Sequence, residues 1–144
     1  MTDPVASITA QFAALAVSEG WTKKSDKYKE ERRAYIAFAV NSGFLAKFGR
    51  NTADLQAWQS LCDTIGVGNG AETLRSIKAC KKALAEAYVN IVDLVDAAQA
   101  GTKIRRTFGS SQALAAYIKR TKKIFPKEKA KSNPLLQRFL IVVY

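Results

Sequence analysis

Apolar residues recur at intervals of three and four along most of this chain, which is the spacing of a helix buried on one face. The pattern occupies residues 5–15, 28–40, 55–65, 77–88, 114–121 and 135–143. Apart from the last five residues, no segment alternates as a half-buried strand does. The pattern therefore predicts an all-α fold of about seven or eight short helices.

Capping residues and glycines mark the expected ends of the helices in the first half of the chain. Asp3-Pro4 predicts the first helix start, Ser25-Asp26 the second and Asn51-Thr52 the third. Asn41-Ser42-Gly43 interrupts the second apolar stretch, and residues 44–48 are expected to form a short helix of their own. Gly66 is the expected left-handed residue that ends the third long helix.

The second half of the chain carries equally clear boundaries. We expect a helix that begins between Glu72 and Ser76, a helix capped by Asn90, and a basic helix that starts at Ser110 or Ser111. Pro126 permits a new helical turn, and Asn133-Pro134 predicts the start of the last helix. At 144 residues the chain is expected to form a single domain, residues 1–144, with the apolar residues 135–144 packed on its body.

The residue types limit the chemistry. The chain has no histidine, which excludes Ser–His–Asp and Cys–His catalysis in their usual forms and removes the commonest metal ligand. Asp93 and Asp96 lie three residues apart but have no third ligand nearby, so helix capping explains Asp93 better than a metal does. Cys62 and Cys80 fall at apolar positions and are interpreted as reduced core thiols. A disulfide between them is an alternative only if the compartment is oxidising. We expect no enzyme activity and no cofactor.

The N-terminal sequence and the apolar runs bear on the compartment. The first residues lack the basic region of a signal peptide, and the longest apolar runs fall short of the ~20 residues that span a bilayer. These observations predict an intracellular protein of the cytoplasm or nucleus, with no membrane span.

Positive charge is concentrated in the last third of the chain. Residues 1–100 hold 12 basic and 11 acidic side chains, whereas residues 101–144 hold 11 basic side chains and a single acid, Glu128. Such clustering concentrates polyanions at a surface, and each neutralised phosphate releases a counterion. A solvated, solubilising face and a patch for an acidic protein partner are the alternatives for the same charges.

The candidate polyanion-binding residues come from three segments. The loop supplies Lys103, Arg105 and Arg106. The basic helix supplies Lys119, Arg120, Lys122 and Lys123, of which Lys119, Lys122 and Lys123 are expected on its outer face at positions i, i+3 and i+4. The helix near residue 80 supplies Lys78 and Lys82. Phe108, Tyr117 and Phe125 have core explanations, so base stacking is not expected.

Residues 61–82 have some features of a helix-turn-helix. Cys62 occupies a small-residue position on a first helix, Gly66 the turn, and Leu74 and Ile77 the anchors of a second helix. The turn is about two residues too long for the DNA-binding form. A plain αα-hairpin is the alternative.

Two strings of the sequence carry a family resemblance. CKKALAEAYVNIVDLVDA and TFGSSQALAAYIKRTKKIFPKEKAKSNPLLQRFLI together resemble a group of small uncharacterised fungal proteins. The resemblance covers roughly residues 55–144 and implies a fungal, intracellular protein, but it brings no activity. The expected function is thus a small helical module that binds DNA, RNA or another polyanion. The alternative is a protein–protein interaction or regulatory module of a fungus, which could be directed at a host.

Overall fold

Seven α-helices and one short 3₁₀-helix form within residues 6–68 and 73–143, the part of the chain that the computed structural model describes. The α-helices run in this order: α1 Ile8–Glu19, α2 Asp26–Phe48, α3 Leu55–Ile65, α4 Ile77–Leu84, α5 Ile91–Ala100, α6 Ser111–Thr121 and α7 Pro134–Val143. The 3₁₀-helix, Lys127–Ala130, precedes α7. The predicted all-α fold is confirmed, with no strand in the described residues beyond an isolated bridge between Tyr88 and Phe108.

Most of the predicted caps are present. The side chains of Ser25, Asn90 and Ser110 each accept a hydrogen bond from the first turn of their helices, and Gly66 and Gly101 end α3 and α5 in the left-handed conformation. The Asn51-Thr52 prediction was wrong, because Asp54 caps α3 by accepting from the backbone of Gln56 and Ala57. Asp3-Pro4 lies outside the described residues, and α1 begins at Ile8 behind a Ser7 cap.

The predicted interruption of the second helix was also wrong. α2 continues without a break from Asp26 to Phe48 and contains Asn41-Ser42-Gly43. Gly43 is buried where α2 crosses α5, and a Cβ added there would lie 2.5 Å from Cγ1 of Val95. This glycine therefore permits close packing of two helices instead of ending one of them.

The main core lies among α2, α3, α4, α5 and α7. Its largest fully buried side chains include Trp58, Phe44, Phe139 and Leu61. Five apolar side chains of α7 are buried in it: Leu135, Leu136, Phe139, Leu140 and Val143. The end of the chain is helical as far as Val143, so no extended tail forms among the described residues.

The two cysteines face each other in this core. Both thiols are free and fully buried, and the Cys62 Sγ–H donates to the carbonyl oxygen of Cys80 at 3.6 Å. Burial, followed by the proximity of Cys80, raises the pKa of Cys62 to about 12. A thiol with so high a pKa is a poor nucleophile at neutral pH.

The basic helix α6 lies at the edge of this arrangement. Its two buried residues, Leu114 and Tyr117, do not belong to the main core cluster. Polar contacts to α2 and α5 therefore help to position α6, and they determine where its cations lie. None of the described helices is long and apolar enough to cross a membrane.

Candidate polyanion interface

Three cations from two segments gather around the ring of Tyr117. The guanidinium carbons of Arg106 and Arg120 lie 5.8 and 5.6 Å from the ring centroid, and Nζ of Lys123 lies 5.5 Å from it. Arg106 comes from the loop after α5, whereas Arg120 and Lys123 lie at the end of α6. The loop and the helix therefore bring their positive charges to one place, and the aromatic face favours cations within about 6 Å of its centroid.

The loop that carries Arg105 and Arg106 is fixed at both ends. The Ile104 N–H donates to the carbonyl oxygen of Thr64 on α3 at 2.7 Å. Beyond the arginines, Phe108 exchanges two backbone hydrogen bonds with Tyr88, at 2.8 and 3.1 Å, and its ring packs 5.0 Å from that of Tyr117. Because Tyr117 and Phe108 are packed together, neither ring is a free stacking platform, as the sequence indicated.

The end of α6 is held by side chains from two other helices. Lys122 ends α6 with a φ of 58°, and Arg32 of α2 donates to the carbonyl oxygens of Lys122 and Thr121 at 2.6 and 3.2 Å. Nδ2 of Asn90 donates to the carbonyl oxygen of Lys123 at 3.0 Å. These contacts satisfy carbonyl groups that a helix end leaves unpaired.

The prediction that Lys123 lies on the outer face of α6 was wrong. The chain leaves the helix at Lys122, so Lys123 turns back towards α5, where its Nζ contacts Oδ1 of Asp93 at 2.7 Å and the Tyr117 hydroxyl at 3.0 Å. Oδ2 of Asp93 accepts from the same hydroxyl at 2.6 Å. Lys123 is thus neutralised by a partner and joins α6 to α5.

The pKa shifts follow from this network. Burial by itself lowers the pKa of Lys123, but the hydrogen bonds and charge of Asp93 and the Tyr117 hydroxyl outweigh burial, so the pKa is raised. Burial raises the pKa of Tyr117, and its hydrogen bond to Asp93 raises it further. With their pKa values raised, Lys123 stays charged and the Tyr117 hydroxyl stays protonated at neutral pH.

The other candidate cations of this region differ from Lys123. Among the described residues the ion pairs are Lys123–Asp93 and the surface pair Lys27–Glu31. The exposed candidates from the loop and α6 therefore have no carboxylate partner there: Lys103, Arg105, Arg106, Lys119, Arg120 and Lys122. The result is a surface of uncompensated positive charge around α6 and the loop.

Lys78 and Lys82 stand apart from this group. They are exposed on α4, a helix that packs against α3 and α7, and neither lines the groove beside Tyr117. α3 ends at Ile65 and α4 begins at Ile77, a connection much longer than the three- or four-residue turn of a DNA-binding helix-turn-helix. The resemblance to that motif therefore does not extend to its geometry.

A groove of about 680 Å³ runs beside Tyr117, between α5, α6 and the loop. Asp93 and Asp96 contribute to its wall, and Oδ1 of Asp96 accepts from the N–H of Ile8 at the start of α1 at 2.8 Å. Burial raises the pKa of Asp96. Within the described ranges no three His, Cys, Asp or Glu side chains are grouped as metal ligands.

Sequence reasoning missed the residues that position this interface. Arg32 was not singled out, and Asp93 and Asn90 were interpreted only as helix-capping residues. The sequence does carry one signal for Asn90. It caps a helix of mostly apolar residues, so it is expected to be buried, and its side-chain NH₂ group then needs a hydrogen-bond acceptor of its own. Arg32 gave no signal, since its partners are backbone carbonyls about 90 residues away.

Comparisons with protein-family models, with curated proteins and with solved structures find no match to this chain. The resemblance to small fungal proteins therefore stays a prediction.

Proposed function

We propose that this protein is a non-enzymatic helical module that binds nucleic acid or another polyanion through phosphate groups. The observation that carries the proposal is the meeting of Arg106 and Arg120, from a pinned loop and a separate helix, at one aromatic ring. Asp93 neutralises Lys123 nearby, but the two guanidinium groups have no carboxylate partner among the described residues. They are therefore available for phosphate oxygens.

Physical arguments favour an anion of high charge density at this surface. Guanidinium groups bind phosphate bidentately, and a fixed group loses less entropy on binding than a free one. The neighbouring Lys103, Lys119 and Lys122 are exposed and add to the same positive potential. Binding of this kind reads charge and backbone, with little discrimination among bases.

The test is fluorescence anisotropy with labelled RNA and DNA oligonucleotides across a salt series that begins at ~50 mM, where phosphate contacts are strong. We expect affinity to fall linearly with salt on logarithmic axes. Arg106→Glu with Arg120→Glu should abolish most of the binding, whereas Lys23→Glu with Lys24→Glu, exposed cations after α1, should have a much smaller effect. Absence of binding by the unaltered protein at ~50 mM salt would refute the proposal.

A protein–protein interaction module is the second candidate, and exposed apolar residues on α2 favour it. Phe38 and Leu45, two helical turns apart, are 73% and 51% exposed. Phe44 and Trp58, in contrast, are fully buried and offer no surface to a partner. Sedimentation of the unaltered protein and of Phe38→Ser with Leu45→Ser would test self-association through this face, which the double variant should abolish.

A further inference from the structure

Two grooves meet at the loop after α5. The first is the groove beside Tyr117, and the second, of about 810 Å³, lies between the end of α2, α3 and the end of α5. Thr102 and Lys103 line both grooves. The two grooves are therefore neighbours that share one wall, and Lys103 lies at the boundary between them.

The shared wall is fixed by backbone hydrogen bonds. The Thr102 N–H donates to the carbonyl oxygen of Ala97 at 2.9 Å, and the Ile104 N–H donates to that of Thr64 at 2.7 Å. Lys103 thus stands between two anchored residues, so its backbone is preorganised although its side chain is exposed. A ligand that crosses this wall would meet a cation without having to order the loop.

The second groove has the chemistry of a binding surface for sugars and bases. Its wall carries a cation of its own, Lys47, and a row of neutral polar side chains: Gln56, Gln59, Ser60 and Thr64. Gln59 and Thr64 already donate to the carbonyl oxygens of Leu74 and Ser60, both at 2.9 Å, whereas Gln56 and Ser60 are exposed and can donate and accept. Among the residues that the structure describes, Asp63 is the acidic side chain that lines it. The first groove, in contrast, is lined by Arg105, Arg106 and Lys123 and by the carboxylates of Asp93 and Asp96, of which Asp93 is paired with Lys123. Cations therefore lie in both grooves and at their boundary, with neutral polar groups between them.

We propose that the two grooves form one continuous track for a single-stranded nucleic acid. Its phosphates would contact Arg105 and Arg106, then Lys103, then Lys47, while sugars and bases face the neutral polar side chains of α3. The inference rests on the proposed polyanion function and adds the class of ligand. A DNA duplex is stiff over about 150 base pairs, so following both grooves across the loop would cost it bending energy, whereas a single strand bends freely; we therefore expect the single strand to bind more tightly.

The packing of the aromatic rings fits this track and limits its specificity. Tyr117 lines the first groove but is occupied by Phe108 and by three cations. The aromatic residue that lines the second groove is Phe48, which is only 7% exposed and packs against Phe44 with ring centroids 5.0 Å apart, so its ring face is not free for a base. Bases would therefore be held by hydrogen bonds to amides and hydroxyls, and we expect weak dependence on base identity.

The experiment measures anisotropy of labelled oligouridylates of about 4, 8, 12 and 16 nucleotides, a range that spans common single-strand site sizes, and of a 16-base-pair RNA duplex. Lys47→Gln alters only the second groove, and Lys24→Gln, which lines neither groove, is the matched control. We expect Lys47→Gln to weaken binding of the longer strands roughly three- to tenfold and to lower their logarithmic salt slope by about 0.7, while 4-mers are unaffected.

The outcomes separate this inference from the proposed function. If Arg106→Glu with Arg120→Glu weakens binding but Lys47→Gln equals Lys24→Gln at every length, the polyanion surface stands and the track is refuted. Duplex binding as tight as that of the 16-nucleotide strand would also refute the track. Failure of the unaltered protein to bind any strand or the duplex would overturn both proposals. Circular dichroism of each variant checks that the exposed substitutions leave the fold intact.

Discussion

At the scale of single residues, Asp93 uses both oxygens of its carboxylate to hold α6 against α5. Oδ1 contacts Nζ of Lys123 at 2.7 Å, and Oδ2 accepts from the Tyr117 hydroxyl at 2.6 Å. The side chains of Asp93 and Lys123 are only 16% and 21% exposed, so solvent screens this pair less than a surface pair. The network therefore fixes both the helix and the ring around which Arg106 and Arg120 gather.

Replacing Asp93 tests that role. Asp93→Asn leaves the Lys123 ammonium partly buried without its anion, and we expect the free energy of unfolding to fall by about 1–3 kcal/mol. Urea denaturation measures this loss. Asp96→Asn is the control, because Asp96 bonds a backbone N–H and its amide oxygen can still accept from Ile8. An Asp93→Asn protein as stable as the unaltered one would contradict the structural role of the pair.

The raised pKa of Asp96 makes its contribution to the free energy of unfolding decrease as pH rises. Burial raises its pKa above the ordinary 3.8, so the folded state favours the protonated acid. That contribution is complete below pH 3.8 and is lost as pH rises through the higher folded-state pKa. The free energy of unfolding of the unaltered protein minus that of Asp96→Asn should therefore decrease as pH rises through this window. Urea titrations at several pH values measure the difference, and a constant difference would contradict the prediction.

At the scale of elements, α6 ends in a strained residue that also belongs to the basic surface. Lys122 is the non-glycine residue with a positive φ among the described residues, at 58°. A left-handed conformation costs an L-residue roughly 1–2 kcal/mol, and glycine avoids that cost. The end of the helix is therefore less stable than it could be, and it places an exposed cation beside Arg120.

Lys122→Gly should separate stability from binding. We expect the free energy of unfolding to rise by about 0.5–1 kcal/mol, since relief of strain exceeds the entropic cost of glycine. Binding to a polyanion should weaken, because one exposed charge is lost. Lys122→Gln is the matched control, which should weaken binding similarly without the gain in stability. Thermal denaturation and anisotropy measure the two effects, and a loss of stability in Lys122→Gly would contradict the assignment of strain.

The crossing of α2 and α5 gives a second prediction for elements. Gly43→Ala improves helix propensity by about 1 kcal/mol, but its Cβ would lie 2.5 Å from Cγ1 of the fully buried Val95. We expect the free energy of unfolding to fall by about 1–3 kcal/mol in total, because the two helices must move apart to admit the methyl group. Ser42→Ala, on the exposed side of the same turn, should be neutral or slightly stabilising. Equal thermal midpoints for the two variants would contradict the close approach.

At the scale of the whole molecule, the charges are divided unevenly. The first 100 residues are nearly balanced, while the last 44 hold 11 of the 23 basic side chains and one of the 12 acids. Mutual repulsion of these cations opposes folding of the surface that carries them, and a bound polyanion relieves it. Binding and stability of the folded protein should therefore be linked.

This linkage predicts a rise in the thermal midpoint on adding a polyanion. A ligand that binds only the folded state at 100 times its Kd stabilises it by about 2.7 kcal/mol, which corresponds to several degrees for a chain of this size. Scanning calorimetry with a single-stranded oligonucleotide at low salt measures the shift. Arg106→Glu with Arg120→Glu should lose most of it. A midpoint unchanged by saturating oligonucleotide would contradict binding to the folded state.

Local signals predicted much of the fold and less of the interface. Ser25, Asn90 and Ser110 cap the helices that they were expected to cap, because capping depends on neighbours two or three residues away. Gly43 was misread, since its reason is a contact with Val95 on another helix. The candidate cations were recognisable from charge alone, but the pairing of Lys123 with Asp93 spans 30 residues and follows from the early end of α6.

The sequence by itself determined the helical class of this protein, most helix ends and the segment that carries the positive charge. These properties depend on periodicity, capping and composition, which are local to the chain. Only the tertiary structure decided that Arg106 and Arg120 share one ring, that Lys123 is neutralised and that Lys103 stands between two grooves. Those outcomes depend on contacts between segments distant in sequence, and no local pattern encodes which distant carboxylate or carbonyl a side chain will meet.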